Sequence, residues 1–363
     1  MRIVFPALVL LLAPFACDAA TDPFQHELRR IRENVYVAVR PDVNRVPVSG
    51  NVTLIINKDD VVVVDSGRTP AAAENIIALL REKTSKPVST IINTHWHDDH
   101  HLGNSVWKRY WPDVEIIAHA STRKAIAGEP MAGLDTREQG LKNFRPVLVK
   151  RIEEGIDEDG RKLSEPELER NQVILATIPL LIEQSRITEL VIPDRTYTDQ
   201  LQLDRPDRRI QVRYLGRGNT DGDSVVYLPD DGIVITGDLV VMPLPFGFYS
   251  YPADWIKTLQ GIKALQWTTL VPGHGEPQSD SRYVDALITL LETLTAQVAA
   301  GHAAGGTLDD IRAGLDLDEI ERQFTNGDPV LARLFHAYWV LPITKSAWKE
   351  ASGIKIVQGK DPT

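Results

Sequence analysis

Runs of β-branched residues alternate with turn formers and helical spacings over the first 130 residues. Val35–Val39, Val52–Asn57 and Val61–Asp65 predict opening antiparallel strands, with Lys58-Asp59-Asp60 as a turn. The spacing becomes helical over Thr69 to Lys83, where Pro70 lies near the start and Ile76, Ile77, Leu79 and Leu80 form the apolar side. Val88–Asn93 reads as a buried strand. A helix from about Leu102 to Tyr110, the strand Val114–Ala118 and a helix beginning near Ser121 follow.

The pattern changes over residues 129–189. Ser164-Glu165-Pro166-Glu167 has the spacing of a capped helix start, and Pro146 and Pro179 are expected to kink or stop the helices they fall in. The acidic run Glu153, Glu154, Asp157, Glu158 and Asp159 is most simply a solvated face or loop. The segment reads as a helical insertion that either covers a site, makes a subunit contact or is a decoration. Strand patterning resumes at Thr196-Tyr197-Thr198-Asp199 and continues through Arg209–Leu215, Ser224–Leu228, Gly232–Thr236 and Thr269–Val271, with a helix predicted over Asp254–Leu265. Beyond Pro277 the chain turns helical: Val284, Leu287, Leu290, Leu291 and Leu294 follow a 3.6-residue period, and Asp328-Pro329 predicts a helix running towards Trp339.

The strongest chemistry lies just after Val88–Asn93. His95-Trp96-His97-Asp98-Asp99-His100 sets three imidazoles and two carboxylates in six residues where a strand ends. Neutral imidazole and carboxylate are the donors zinc prefers. A solvated, histidine-rich loop is the plain alternative. Four of the nine histidines of the chain fall within 95–101, which weighs against chance.

The pattern His-x-His-x-Asp-His resembles the signature of the metallo-β-lactamase superfamily. Further landmarks share the resemblance in order, each just after an apolar run: Asp65-Ser66-Gly67, Gly218-Asn219-Thr220-Asp221-Gly222-Asp223, Thr236-Gly237-Asp238 and Pro272-Gly273-His274-Gly275. They span roughly Asn34 to Glu276. The resemblance implies an α/β (α+β) four-layer αββα sandwich over residues 28–280, here with the 129–189 insertion and a C-terminal helical extension over 281–352. It also implies a metal-dependent hydrolase. His95 and His97 would serve a first metal, Asp99, His100 and His274 a second, and Asp238 would bridge the two. Asp65 is a candidate for orienting an imidazole, or else a turn former. Asn219 stands where most relatives carry a third histidine. An amide oxygen is a weaker zinc donor than imidazole, so one tightly bound Zn2+ and a second, weaker one are expected. Asp99 and Asp238 are the expected catalytic carboxylates, and a metal-held hydroxide is the implied nucleophile.

Bulk properties narrow the partners. A formal net charge of −10 without a basic cluster disfavours nucleic acid. Arg2, the apolar stretch Ile3 to Ala16 and small residues at Cys17, Ala19 and Ala20 read as a signal peptide over 1–20, so the mature protein is expected to be exported, periplasmic or secreted. The stretch is short for a bilayer span. Pro14 stands where a lipoprotein box wants leucine, which argues against lipidation at Cys17, and no other cysteine exists to form a disulfide.

A zinc hydrolase of an ester, lactone, thioester or amide is the leading expectation, with a small molecule as substrate. A β-lactamase is the alternative. Asp238 counts mildly against it, because the resemblance implies cysteine or serine there in dedicated lactamases. An iron-dependent oxidoreductase and a non-catalytic metal-binding protein are further readings. His119 and His101 are expected to pack in the fold or, for His101, to face the pocket. Met242 to Tyr251 could line a substrate mouth or pack on helices.

Overall fold

The computed structural model describes residues 22–41, 48–128, 131 and 133–359, with the side chain of Asp135 excepted. The expected signal peptide and Cys17 lie outside the described residues. Seven strands form the first sheet in sequential order: β1 (Glu27–Arg32), β2 (Val35–Val39), β3 (Val52–Ile56), β4 (Val61–Val64), β5 (Val88–Asn93), β6 (Glu115–His119) and β7 (Arg195–Tyr197). Pairing is antiparallel from β1 to β4 and parallel from β4 to β7. The second sheet runs β12-β11-β10-β9-β8, built from β8 (Gln200–Arg205), β9 (Arg208–Arg213), β10 (Val225–Leu228), β11 (Ile233–Ile235) and β12 (Thr269–Val271).

Helices cover the outer faces. Those of the first half are α1 (Pro70–Arg81), α2 (Asp98–His101), α3 (Asn104–Tyr110) and α4 (Ala120–Ile126). The insertion contributes α5 (Arg137–Glu154) and α6 (Glu165–Ile187); then come α7 (Pro252–Ala264), α8 (Arg282–Ala303), α9 (Leu308–Ala313), α10 (Asp318–Thr325), α11 (Pro329–Phe335) and α12 (Leu341–Ala351). The result is the expected four-layer sandwich. Strand β4 explains its own sequence: Val62 and Val64 face the second sheet, while Val61 and Val63 face α1 and α3. With both faces covered, an unbroken valine run is the stable choice. Between the sheets, Ile55, Ile92 and Ile117 meet Ile210, Val212 and Val226. Outside the second sheet, Val225, Val234 and Leu270 pack beneath Trp255 of α7 and Leu287, Leu290 and Leu294 of α8. Among the described helices α8 alone is long and apolar enough to cross a membrane, and its apolar side is this core.

Three details differ from expectation. Strand β1 carries Arg29, Arg30 and Arg32 on a half-exposed sheet edge, a charged pattern that protects edges but hides the strand from hydrophobic periodicity. Strand β7 closes the first sheet beside β6, although the strand patterning of the second half begins with it. Asp194 docks it by exchanging hydrogen bonds with the Ile116 backbone, its amide on the carbonyl at 2.8 Å and its carboxylate on the amide at 3.0 Å. Helices α5 and α6 run through Pro146 and Pro179 without stopping, packed against each other along their lengths. The capping box of α6 forms as read, the Ser164 amide donating to Glu167 at 2.8 Å. Asp328 caps α11 through the amides of Val330 and Leu331, and the helix continues through a wide turn at His336–Val340 into α12.

Candidate metal centre

Strand β5 ends at Asn93, whose amide trades hydrogen bonds with Asn104 at 3.2 and 2.9 Å. That exchange ties the strand end to α3 and closes the intervening loop. Within it His95 lies in a bend, His97 has extended backbone, and the single turn α2 delivers Asp99 and His100. Asp238 comes from the end of β11 and His274 from the end of β12. These strand ends meet.

His95, His97 and Asp238 form one group whose donor atoms lie within 4.8 Å of one another; Asp99, His100 and His274 form a second. Asp238 touches both. Its Oδ2 is 3.5 Å from His95 Nε2 and 3.8 Å from His97 Nδ1. Its Oδ1 is 3.2 Å from His100 Nε2 and 3.4 Å from His274 Nε2. Asp99 Oδ2 lies 3.2 Å from His274 Nε2. His95 Nε2, Asp99 Oδ2 and Asp238 Oδ1 are buried with no hydrogen-bond partner. Buried polar atoms rarely stay unpaired. Imidazoles and carboxylates converging on one space, with their free atoms inward, fit divalent cations.

The electrostatics agree. Burial pushes His95 down to about 3. Burial also opposes the charged forms of His100 and His274, yet Asp238, Asp99 and Asp65 outweigh it at His100, and Asp238 and Asp99 raise His274 to about 9. Against the same penalty, His100 and His274 hold Asp99 and Asp238 below the usual carboxylate range. The carboxylates thus favour positive charge at His100 and His274, the kind of charge that a divalent cation would supply.

Neighbouring residues position these groups. His100 Nδ1 sits 2.8 Å from Asp65 Oδ2, so its Nε2 faces the centre. Two glycines allow close approach: a Cβ on Gly50 would lie 2.4 Å from Cε1 of His100, and one on Gly273 would lie 2.0 Å from Asp238 Oδ1. The loop Gly218–Asp223 is braced by the Asp223 carboxylate, which accepts from the Thr220 amide at 2.8 Å and hydroxyl at 2.7 Å. Burial pushes Asp223 up to about 8. Asn219 is fully buried; its Nδ2 donates to the Phe246 carbonyl at 2.7 Å, leaving Oδ1 without a partner.

A cavity of about 610 Å³ opens over the centre, with His97, Asp99, Asp238 and His274 in its wall. Apolar residues Trp96, Met131, Leu134, Phe246, Phe248 and Tyr338 dominate the rest. The 242–251 loop thus lines the mouth, and the insertion reaches it through Met131, Leu134, Arg137 and Arg170. The four guanidiniums on the wall (Arg40, Arg68, Arg137 and Arg170) escaped sequence reasoning, since isolated arginines in polar segments carry no local signal. His101 is buried and turned away, its Nε2 on the Trp96 carbonyl at 2.9 Å, so it is no pocket residue. His119 stacks on Tyr214 with ring centroids 4.2 Å apart, the packing role expected.

A four-layer sandwich with a histidine- and aspartate-rich centre at its strand ends defines a class of metal-binding folds. The profile of the metallo-beta-lactamase superfamily matches residues 45–274, and the chain belongs to that superfamily. A linear primary-alkylsulfatase of Pseudomonas sp. (strain ATCC 19151) is 22% identical over 257 residues, 66% of this chain and 44% of that protein. The chain thus spans under half the length of this curated relative. The stereoselective inverting sec-alkylsulfatase Pisa1 from Pseudomonas sp. superposes with a TM-score of 0.59 at 14% identity, over 86% of this chain and 50% of that one. A metallo-beta-lactamase from Pontibacter korlensis gives a TM-score of 0.49 at 17% identity, over 74% of this chain and 99% of that one.

Proposed function

We propose that the protein is an exported zinc-dependent hydrolase that cleaves a carbonyl-type bond (ester, lactone, thioester or amide) in a small substrate with an apolar body. The observation that carries this reading is the sharing of Asp238 between two ligand groups on the floor of an apolar cavity. His95, His97 and Asp238 would hold one ion, and Asp99, His100, His274 and Asp238 the other. Asn219 Oδ1 is a weak, neutral donor beside them. Bound zinc would supply hydroxide at neutral pH and electrophilic pull on the substrate oxygen. Asp99 would ligate the metal and also hold the attacking water. Trp96, Phe246 and Phe248 would exclude bulk water and seat the substrate body. Residues 28–280 would form the catalytic unit, with 281–352 as its helical extension.

Sulfate-ester hydrolysis is a second reading. It draws on the name of the alkylsulfatase relative and on the arginines of the cavity wall. Zinc content should be measured on the mature protein, with turnover of matched ester, lactone, thioester, amide and alkyl sulfate substrates and a chromogenic β-lactam. Carbonyl cleavage lost on chelation and regained with zinc is expected. Iron in place of zinc, or full metal loading without turnover of any substrate, would overturn it. Export rests on the Arg2-to-Ala20 pattern and is tested by the N-terminal residue of the mature chain.

A further inference from the structure

Three of the four guanidiniums on the cavity wall already have acceptors. Arg68 donates to the Val48 carbonyl at 2.8 Å and sits 3.5 Å from Asp98. Arg137 lies 2.7 Å from the same Asp98 oxygen, and Arg40 donates to the Pro23 carbonyl. Arg170 differs. It makes no hydrogen bond or ion pair with any described residue, and its Nε is buried without a partner. The carboxylate one turn earlier on α6, Glu167, is engaged elsewhere: it pairs with Arg161 at 3.1 Å and with Arg333. A guanidinium with a buried, unpaired nitrogen gives up hydration without compensation, so a ligand that supplies an acceptor is favoured.

The position of Arg170 narrows that ligand. From the metal centre, the His97 ring meets Phe246 at 5.5 Å between centroids, and Phe246 meets Tyr338 at 6.3 Å. Leu334, one helical turn before Tyr338, also lines the cavity, and its neighbour Arg333 is the residue tied to Glu167 on α6. Arg170 lines the same cavity as these apolar residues, one turn along α6 from the Glu167 that Arg333 holds. We infer that Arg170 binds an anionic group carried by the substrate at the far end of an apolar body from the bond that is cut. This deepens the hydrolase reading and rests on it for the identity of the reacting end. Asp98 is shared by Arg68 and Arg137, and the other two carboxylates of the wall, Asp99 and Asp238, belong to the candidate metal centre, so none of the three is paired with Arg170. In a chain of net charge −10, such a local cation is what lets an anion settle.

The test uses the zinc-loaded, full chain. Calorimetric titration compares α,ω-dicarboxylates from butanedioate to decanedioate with monocarboxylates of equal length. One carboxylate occupies the centre in both series; only the diacids can reach Arg170. At the best length the diacid should bind about tenfold or more tighter. Arg170→Gln should erase that gap while leaving monocarboxylate binding within about twofold, and Arg170→Lys should keep part of it. Equal binding of both series by the native chain overturns the inference, as does an equal loss for both in Arg170→Gln. A kinetic arm compares p-nitrophenyl hexanoate with the p-nitrophenyl monoester of hexanedioate. A diacid preference in calorimetry with neither ester cleaved leaves Arg170 as the anion site and refutes carbonyl hydrolysis instead.

Discussion

Asp65 Oδ2 lies 2.8 Å from Nδ1 of His100, and the same carboxylate accepts from the Thr94 amide and hydroxyl. One side chain thus sets an imidazole's orientation and braces the first residue of the histidine loop. Asp65 does so from a left-handed backbone, φ 62°, which aspartate and asparagine tolerate better than most residues. Asp65→Asn keeps the backbone and one acceptor but removes the charge behind the ring. Zinc affinity, read by competition with a chromogenic chelator, should fall about tenfold to a hundredfold. Unchanged affinity would reduce Asp65 to a turn former.

Gly50 gives a steric counterpart. A methyl group there would overlap the His100 ring, 2.4 Å from Cε1 and 2.7 Å from Nδ1. The flanking backbone has little room to retreat, because the Asn51 amide donates to the Gly273 carbonyl at 2.7 Å and its side chain to the carbonyls of Pro272 and Gly275. Gly50→Ala should therefore displace His100 and lower zinc retained after dialysis by at least half, with the far-UV spectrum unchanged. Full retention would show that the loop yields more easily than these bonds suggest.

The candidate ligands were legible because their chemistry is rare and locally dense: His95, His97, Asp99 and His100 fall in one loop, and Asp238 and His274 each follow a short apolar strand. The layering was legible for a related reason, since a strand buried on both faces, such as Val61–Val64, has no polar position to spare. What escaped depends on meetings between distant segments. Arg68, Arg137 and Arg170 are ordinary polar positions in sequence and share a wall only after folding. Strand β1 was missed because an exposed edge favours arginine, and the sheet that β7 joins could not be read because it is chosen by Asp194 and Ile116 rather than by its own three residues. The role of the insertion was open until Met131, Leu134 and Arg170 appeared in the cavity wall.

Asn219 is held by its nitrogen, which donates to Phe246 O, so the end left free is an oxygen. Oxygen amides bind zinc more weakly than imidazole. Asn219→His should raise retention of the more labile ion against a weak chelator, and Asn219→Ala should lower it further. Two equivalents lost together from the native chain, at one chelator concentration, would contradict unequal sites.

Far from the metal, Glu350 on α12 accepts from the Ala253 amide at 3.1 Å, in the first turn of α7. Burial raises its carboxyl from 4.5 to about 6, with Asp254 adding to the effect and the Ala253 amide opposing it. A carboxyl raised on folding binds more protons in the native state. Its contribution is therefore neutral below the unfolded value of 4.5, and it turns unfavourable as pH climbs through about 6. Because the group is partly solvated, the loss is about 1 kcal/mol or less. Glu350→Gln keeps an acceptor for the Ala253 amide but cannot ionise. Melting curves at pH 4.5 and 7.5 should show a smaller drop with rising pH in the variant than in the native chain. An equal drop in both would mean that Glu350 ionises in the fold as freely as in the unfolded chain.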